Sequence, residues 1–292
     1  MAKPARAVEE DPEQAKQAEL EAGRMPFLQH LAELRDRVRN AAIAFVIAFL
    51  GCWYFSKEIF AWLCAPLFHI WYQHCDVLEG PGCVGHELIK HGTSWGPPKL
   101  IYTGLTQPFW VDMSVGMWAG IFVASPLIFY QLWQFIAPGL YKRERRFGVI
   151  FAVSSAILFV CGALFCFYFA LPKLYNFLLS YNSRNLLSLP NIQEYLDLTR
   201  DSMLAFGAIF EMPLLILFLA MIGMVTHRSL WKFSRWFIVL AFIIGAILTP
   251  GPDVVSQLMM ALPMIALYNI SILLAWWVTK RREAKEKALE TS

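Results

Sequence analysis

The chain has 292 residues, of which 58% are hydrophobic and only 16% are charged. This composition and the positive mean hydropathy of +0.48 exclude an ordinary soluble domain of this length. The net charge of +3 gives no indication of nucleic-acid binding.

The N-terminal region combines a charged segment with an amphipathic one. Residues 1–24 are charged and contain no apolar core, so we expect a disordered cytoplasmic extension and no cleavable signal peptide. In residues 25–39, apolar side chains repeat at helical spacing from Phe27, and Glu33 and Arg37 stand one turn apart, which predicts an amphipathic helix along the inner interface. A simple membrane anchor explains the apolar stripe. An anchor gains nothing from Glu33, whose carboxylate can bind a guanidinium, so a binding role stays open beside it.

Six apolar runs predict an all-α membrane protein with six transmembrane helices, in a membrane domain of residues 25–278. The runs are Ala41–Phe55, Met113–Ala137, Phe147–Pro172, Met203–Val225, Trp236–Leu248 and Leu258–Val278. A helical span takes about 20 apolar residues, and the fifth run covers only about 20 Å. We therefore expect the last two spans to be shorter, or the membrane to be locally thinned there.

The distribution of basic residues predicts the orientation. Of the 25 Lys and Arg, 19 lie in alternate polar segments: before the first run, in 142–146, in 228–235 and after 279. The positive-inside rule therefore places both termini in the cytoplasm, including a C-terminal tail of residues 279–292.

The first outer loop contains a pair of cysteines that could form a disulfide and a group of residues that could suggest a metal site. Cys75 and Cys83 could close a short disulfide in an oxidising compartment, but spacing alone does not decide whether they do. His86, Glu87 and His91 superficially resemble a zinc-protease helix. Because the histidines are not four residues apart, we expect a polar loop and no metal site.

The remaining motifs argue against an enzyme. The sequence contains no phosphate-binding glycine loop, no nucleophile elbow and no pair of intramembrane aspartates. We therefore expect neither catalytic activity nor a cofactor. Gly116 and Gly120 form a GxxxG pattern in the second run, for which a close contact between helices of the same chain is a better explanation than dimerisation.

Three carboxylates stand out in unusual surroundings. Glu144 lies among the four basic residues of the inner turn at 142–146, where a salt-bridge partner is the simpler interpretation and a binding residue the alternative. Glu211 is the only charged residue of the fourth run, where it costs about 2 to 3 kcal/mol unless it faces protein or water, so we favour a functional role over a structural one. Asp253 follows the outer turn before the last run, and helix capping is its simplest role.

Four segments together resemble a known family. Phe27–Arg37, Phe135–Arg146, Phe206–Pro213 and Thr249–Gln257 look like the signature segments of TatC, the multispanning receptor of the twin-arginine protein translocase. The resemblance has all four in order and covers residues 27–277. The chain departs from the family pattern in its longer first outer loop and in an extra glycine in the outer turn.

The resemblance implies a function and its residues. Glu33, Arg35, Phe135 and Glu144 match positions that bind twin-arginine signal peptides of folded precursors, and Glu211 matches a glutamate that contacts the single-span subunits TatA and TatB. Asp253 matches, less securely, an acidic position after the outer turn. The family further implies transport driven by the proton motive force, homo-oligomers within a larger complex, and the bacterial inner membrane.

Two other classes of protein remain as alternatives. A proton-coupled secondary transporter of a small solute would use Glu211 as its coupling site, although the sequence lacks the internal repeats and paired broken helices that are typical of such folds. A pure assembly scaffold would also have six spans. It would bind its ligands equally well without Glu33 and Glu144.

Overall fold

The computed structural model describes residues 12–77, 100–136, 145–180, 191–249 and 254–290, with side chains for 30–70, 100–136, 148–180, 191–249 and 254–280. These residues are almost entirely helical. The helices are α1 (Pro12–Tyr54), α2 (Ser56–Val77), α3 (Gln107–Ile136), α4 (Arg145–Phe165), a π-helical turn (Cys166–Ala170), α5 (Leu171–Ser180), α6 (Ile192–Phe210), α7 (Met212–Met221), α8 (His227–Leu248) and α9 (Val254–Glu290).

The helices confirm an all-α, multi-pass membrane protein. Five stretches are long and apolar enough to cross a membrane: Gln107–Ile136, Gly148–Ser180, Ile192–Met221, His227–Leu248 and Val254–Lys280. A sixth is possible if α1 and α2 are counted as one span, because they pass the same test together despite a bend of 77° between them. The structure therefore has five or six candidate spans, and the higher number equals the number of apolar runs.

The last two spans are the shortest of the five, as the sequence analysis expected, although each is longer than its apolar run. They contain 22 and 27 residues, and even the shorter helix reaches about 33 Å, against about 30 Å for a bilayer core. The reason is that both helices continue beyond their apolar runs into polar and aromatic residues. Whether the membrane is thinned locally stays a prediction.

The N-terminal helix differs from the predicted arrangement of a separate interfacial segment and a span. α1 begins at Pro12, within the region predicted as disordered, and continues without a break through residues 25–39 to Tyr54. The sequence analysis did not predict the following helix, α2, because Lys57, Glu58 and Pro66 interrupt its apolar pattern. The amphipathic segment and the first apolar run thus belong to one helix.

Two glycines bring α1 and α3 into close contact. A Cβ atom on Gly116 would lie 2.8 Å from the Cα of Trp53, and one on Gly120 would lie 2.9 Å from the Cα of Phe49. Since real Cβ atoms do not approach backbone so closely, only glycine allows this packing. The interpretation of the GxxxG pattern as a contact within the chain is confirmed.

The turn between α7 and α8 is defined by capping interactions. Gly223 adopts a φ of 82°, and Met224 donates its N–H to the carbonyl of Leu219 at 3.0 Å, which is the arrangement of a Schellman motif. Three residues on, the side chain of Thr226 accepts a hydrogen bond from the N–H of Ser229 and begins α8.

Buried polar groups join neighbouring helices. The indole of Trp133 on α3 donates to Ser155 Oγ on α4 at 2.8 Å, and the hydroxyl of Tyr195 on α6 donates to the carbonyl of Leu63 on α2 at 2.5 Å. Each bond satisfies a group that would otherwise cost free energy in a dry interior. The first bond holds α3, on which the site depends, against α4, and the second holds α6 against α2.

Candidate functional site

A polar surface forms where the middle of α1 passes the C-terminal end of α3. The ring of His30 stacks on Phe135, with centroids 4.4 Å apart and planes at 16°. Arg37 donates to Glu33 Oε1 at 3.1 Å and to Gln131 Oε1 at 3.4 Å. We call these five residues the α1–α3 surface.

The close glycine contact explains why this surface exists. α1 and α3 lie against each other at Gly116 and Gly120, so the helices remain neighbours several turns further on. One side of α1 carries His30, Glu33 and Arg37 at spacings of three and four residues, which places them on one face. The surface is therefore built by helix periodicity together with one tight helix pair.

The charged pair at the centre of the surface remains accessible. The side chains of Glu33 and Arg37 are 33% and 28% exposed. An ion pair at this exposure contributes at most about 1 kcal/mol, so a ligand can displace it without a large penalty. Arg37 contacts only Oε1 of Glu33, and among the described residues Oε2 accepts no hydrogen bond.

Arg35 does not join the other predicted site residues. Its side chain is 76% exposed and lies 3.4 Å from Asp36, its neighbour in sequence. Asp36 also pairs with Arg39 at 3.2 Å, so these three residues form a separate exposed cluster on α1. The structure brings together Glu33 and Phe135, but not Arg35.

Four predicted residues lie outside the part whose side chains are described. They are Glu144, Asp253, Cys75 and Cys83. Glu144 immediately precedes Arg145, where α4 begins, and it lies nine positions after Phe135 in the sequence. The disulfide and the roles of Glu144 and Asp253 stay predictions.

Glu211 lies at the break between α6 and α7. Its φ and ψ of −72° and −21° remain helical, but Pro213 follows in the first turn of α7 and lacks an N–H, which interrupts the helix ladder. The Oε1 atom is buried and has no hydrogen-bond partner among the described residues. A carboxylate oxygen in this state is unfavourable unless another group supplies a proton or a donor.

Two members of the α1–α3 surface were not assigned a role from the sequence. His30 and Gln131 become significant only because α1 and α3 meet, although Gln131 is a polar residue within the second apolar run and could have been noticed there. The pairing of Glu33 with Arg37, in contrast, was predicted from their spacing and is confirmed.

The fold and the α1–α3 surface define a multi-pass helical membrane protein with a polar surface where α1 meets the C-terminal end of α3. Comparison with known proteins gives the family. The family model described as Sec-independent protein translocase protein (TatC) matches residues 29–263. The chain therefore belongs to the TatC family.

Relatives and solved structures of the TatC family are also similar to this chain. The chain is 36% identical over 266 residues to Sec-independent protein translocase protein TatC of Magnetococcus marinus, covering 91% of this chain and 89% of that one. It is 37% identical over 268 residues to the TatC of Koribacter versatilis, covering 90% and 91%. A crystal structure of the twin-arginine translocase receptor TatC superposes with a TM-score of 0.70 at 34% identity, covering 86% of this chain and 99% of that one.

These similarities confirm the resemblance found in the sequence. They place the chain in a protein translocase family, a class of transport component. The interpretation of the chain as a secondary transporter of small solutes receives no support from them.

Proposed function

We propose that this chain is the signal receptor of a twin-arginine translocase and that its α1–α3 surface binds the arginine pair of the signal peptide. The observation that carries the proposal is the accessible carboxylate of Glu33, held by Arg37 beside the stacked rings of His30 and Phe135, in a member of the TatC family. Folded precursor proteins with such signals are the cargo.

The chemistry of the surface suits a guanidinium. Arginine presents a rigid fork of donors that a carboxylate can accept side-on, whereas a lysine ammonium is a compact point charge. Oε2 of Glu33, which accepts no hydrogen bond from the described residues, can accept from such a fork while Oε1 keeps its bond to Arg37. The aromatic pair beside it supplies a flat face on which a guanidinium can stack.

Glu144 completes this proposal as a second carboxylate. In the sequence it lies between α3 and α4, after the helix end that carries Phe135. Two carboxylates can take one guanidinium each, and the neighbouring basic residues would repel other cationic peptides. Arg35, which is exposed and paired with Asp36, contributes to the net charge around the surface and not to the carboxylate site.

The position of the surface supports a cytoplasmic receptor. Basic residues concentrate at the ends of the spans nearest the α1–α3 surface, including 142–146. By the positive-inside rule, this end and both termini face the cytoplasm, and the membrane is the bacterial inner membrane. A signal peptide would then dock before its precursor crosses.

Glu211 is the proposed contact for single-span partners of the TatA and TatB type. The residue is only half-buried, so a partner helix can reach the exposed part of its carboxyl group, and a donor brought by that helix would be stabilising. Because a bundle of six helices cannot enclose a folded protein, the passage forms by assembly of several chains. Transport then draws on the proton motive force, worth about 2.3 kcal/mol per charge at 100 mV.

Site-specific photocrosslinking tests the receptor proposal directly. A photoreactive residue at position 32, next to Glu33 and leaving it intact, should crosslink to a precursor whose signal contains Arg-Arg and not to one with Lys-Lys. The same residue at position 43, further along α1 and exposed, serves as the control. Equal crosslinking to both precursors at position 32, or none to either, would contradict arginine recognition at this surface.

A further inference from the structure

An apolar groove of about 630 Å³ lies between the beginning of α8 and the middle of α9, and neither Glu33 nor Glu211 lines it. Ile272 and Leu273 of α9 line it, and Trp231 and Trp276 stand on its two sides. Both tryptophans are well exposed. Tryptophans at helix ends are typical of the interface between headgroups and acyl chains, so the groove opens at that level of the membrane.

Three cations surround the groove. Arg228 and Lys232 line it on the side of α8, and Lys280 Nζ lies 5.0 Å from the ring centroid of Trp276 on the side of α9. None of the three pairs with an acid within the described residues. The reason is visible in the sequence, since neither 212–248 nor 254–280 contains an Asp or a Glu.

The start of α8 adds further attraction for an anion. Its N-terminus carries the positive end of the helix dipole, in the same place as Arg228. His227, which also lines the groove, has a buried Nδ1 atom without a hydrogen-bond partner in the described part of the chain. The α8 side of the apolar groove therefore carries both positive charge and a ring nitrogen without a hydrogen-bond partner among the described residues.

The groove is preformed by a firm contact between the two helices. The hydroxyl of Tyr268 on α9 donates to the carbonyl of Leu230 on α8 at 2.8 Å, and its ring stacks on Phe237 with centroids 4.1 Å apart. Tyr268, Leu230 and Phe237 are all buried. A ligand therefore meets a cleft whose walls are already in place, which lowers the cost of binding.

We propose that this groove binds one anionic phospholipid of the surrounding leaflet. Its phosphate would lie among Arg228, Lys232 and Lys280, and an acyl chain would cover Ile272 and Leu273. The apolar lining distinguishes this occupant from free phosphate. Among the residues whose side chains are described, no acid pairs with these three cations, which distinguishes this occupant from a zwitterionic lipid, whose ammonium would add to their positive charge. The proposal is independent of signal-peptide binding.

Native mass spectrometry of the full chain in detergent tests it. The delipidated protein is titrated with phosphatidylglycerol and, separately, with phosphatidylethanolamine of the same acyl chains. Lys232→Gln removes one cation of the groove, whereas Arg235→Gln, the matched control, removes one from the same helix outside it. Lys232→Arg keeps the charge, and Leu273→Trp keeps every charge but fills the groove.

We expect one phosphatidylglycerol to bind in preference to phosphatidylethanolamine. Affinity should fall about fivefold in Lys232→Gln, the effect of one cation near an anionic headgroup, and should also fall in Leu273→Trp. It should be unchanged in Arg235→Gln and Lys232→Arg. Equal binding of the two lipids, or an equal loss in Arg235→Gln, would overturn the proposal.

A photoreactive residue at position 273 in membranes separates lipid from protein as the occupant. Labelling of phospholipid is expected. Labelling of a protein in place of lipid would show that the groove is a protein interface and would overturn the proposal, without bearing on the α1–α3 surface.

Discussion

Replacing Glu33 by Gln changes the charge of the α1–α3 surface with almost no change in shape. The native carboxylate accepts from Arg37 at 3.1 Å and is one-third exposed, with a side-chain exposure of 33%. In the proposed complex, Glu33 accepts a hydrogen bond from a guanidinium of the signal peptide. Such a bond between charged groups contributes about 1.5 to 3 kcal/mol, and the partial exposure of Glu33 reduces this to about 1 to 2 kcal/mol. We therefore expect the affinity for an Arg-Arg signal peptide to fall about 5- to 30-fold.

The assay is fluorescence anisotropy of labelled signal peptides with the full chain in nanodiscs. Glu33→Asp should lose less affinity than Glu33→Gln, because it keeps the charge. Asp36→Asn is the matched control, since it removes the same charge from the same helix at an exposed position in the separate cluster with Arg35 and Arg39. The Lys-Lys peptide should bind weakly to every variant.

Two results would refute this reasoning. If Glu33→Gln and Glu33→Asp lose affinity equally, the residue acts through packing and not through its charge. If Asp36→Asn weakens binding as much as Glu33→Gln, only the general negative charge of α1 matters, and the geometry at Glu33 has no special role.

Three further predictions concern other parts of the chain. Glu211→Leu should insert and accumulate normally but retain less of the single-span subunits on copurification; unchanged recovery would argue against a contact there. Gly120→Ala should destabilise the protein by about 1 to 3 kcal/mol, because the new Cβ meets the α1 backbone at 2.9 Å, and thermal unfolding in detergent should show this. Gly51→Ala should not destabilise the protein, because no atom lies within 4 Å of the added Cβ. If Cys75 and Cys83 are bridged, alkylation should modify neither until reductant is added, so labelling of either beforehand excludes the disulfide.

Sequence alone was sufficient where the physics is local. Apolar runs of about 20 residues indicate spans because each backbone polar group must be paired within the membrane. The pairing of Glu33 with Arg37 follows from the helix period, and the close approach at Gly116 and Gly120 follows from the absence of side chains there. The isolated charge of Glu211 was equally visible without any structure.

Some local features were nevertheless misjudged. The helix α2 was overlooked because its charged and proline residues hide an apolar face that packs through Cys64 and Leu67. The last two spans exceed their apolar runs because a helix continues as long as its hydrogen bonds do, whatever the polarity of the side chains. An apolar run shows which residues can contact lipid, whereas the ends of a helix are set by its capping interactions.

The tertiary structure decided which distant residues meet. Arg37 and Gln131 are separated by 94 positions, and nothing in either segment specifies the other. Their contact depends on the packing of α1 against α3, as does the stacking of His30 on Phe135. The groove between α8 and α9 likewise depends on the packing of these two helices, to which Tyr268 contributes. The sequence determined the spans and the charges of this protein by local rules, whereas its binding surfaces required long-range packing.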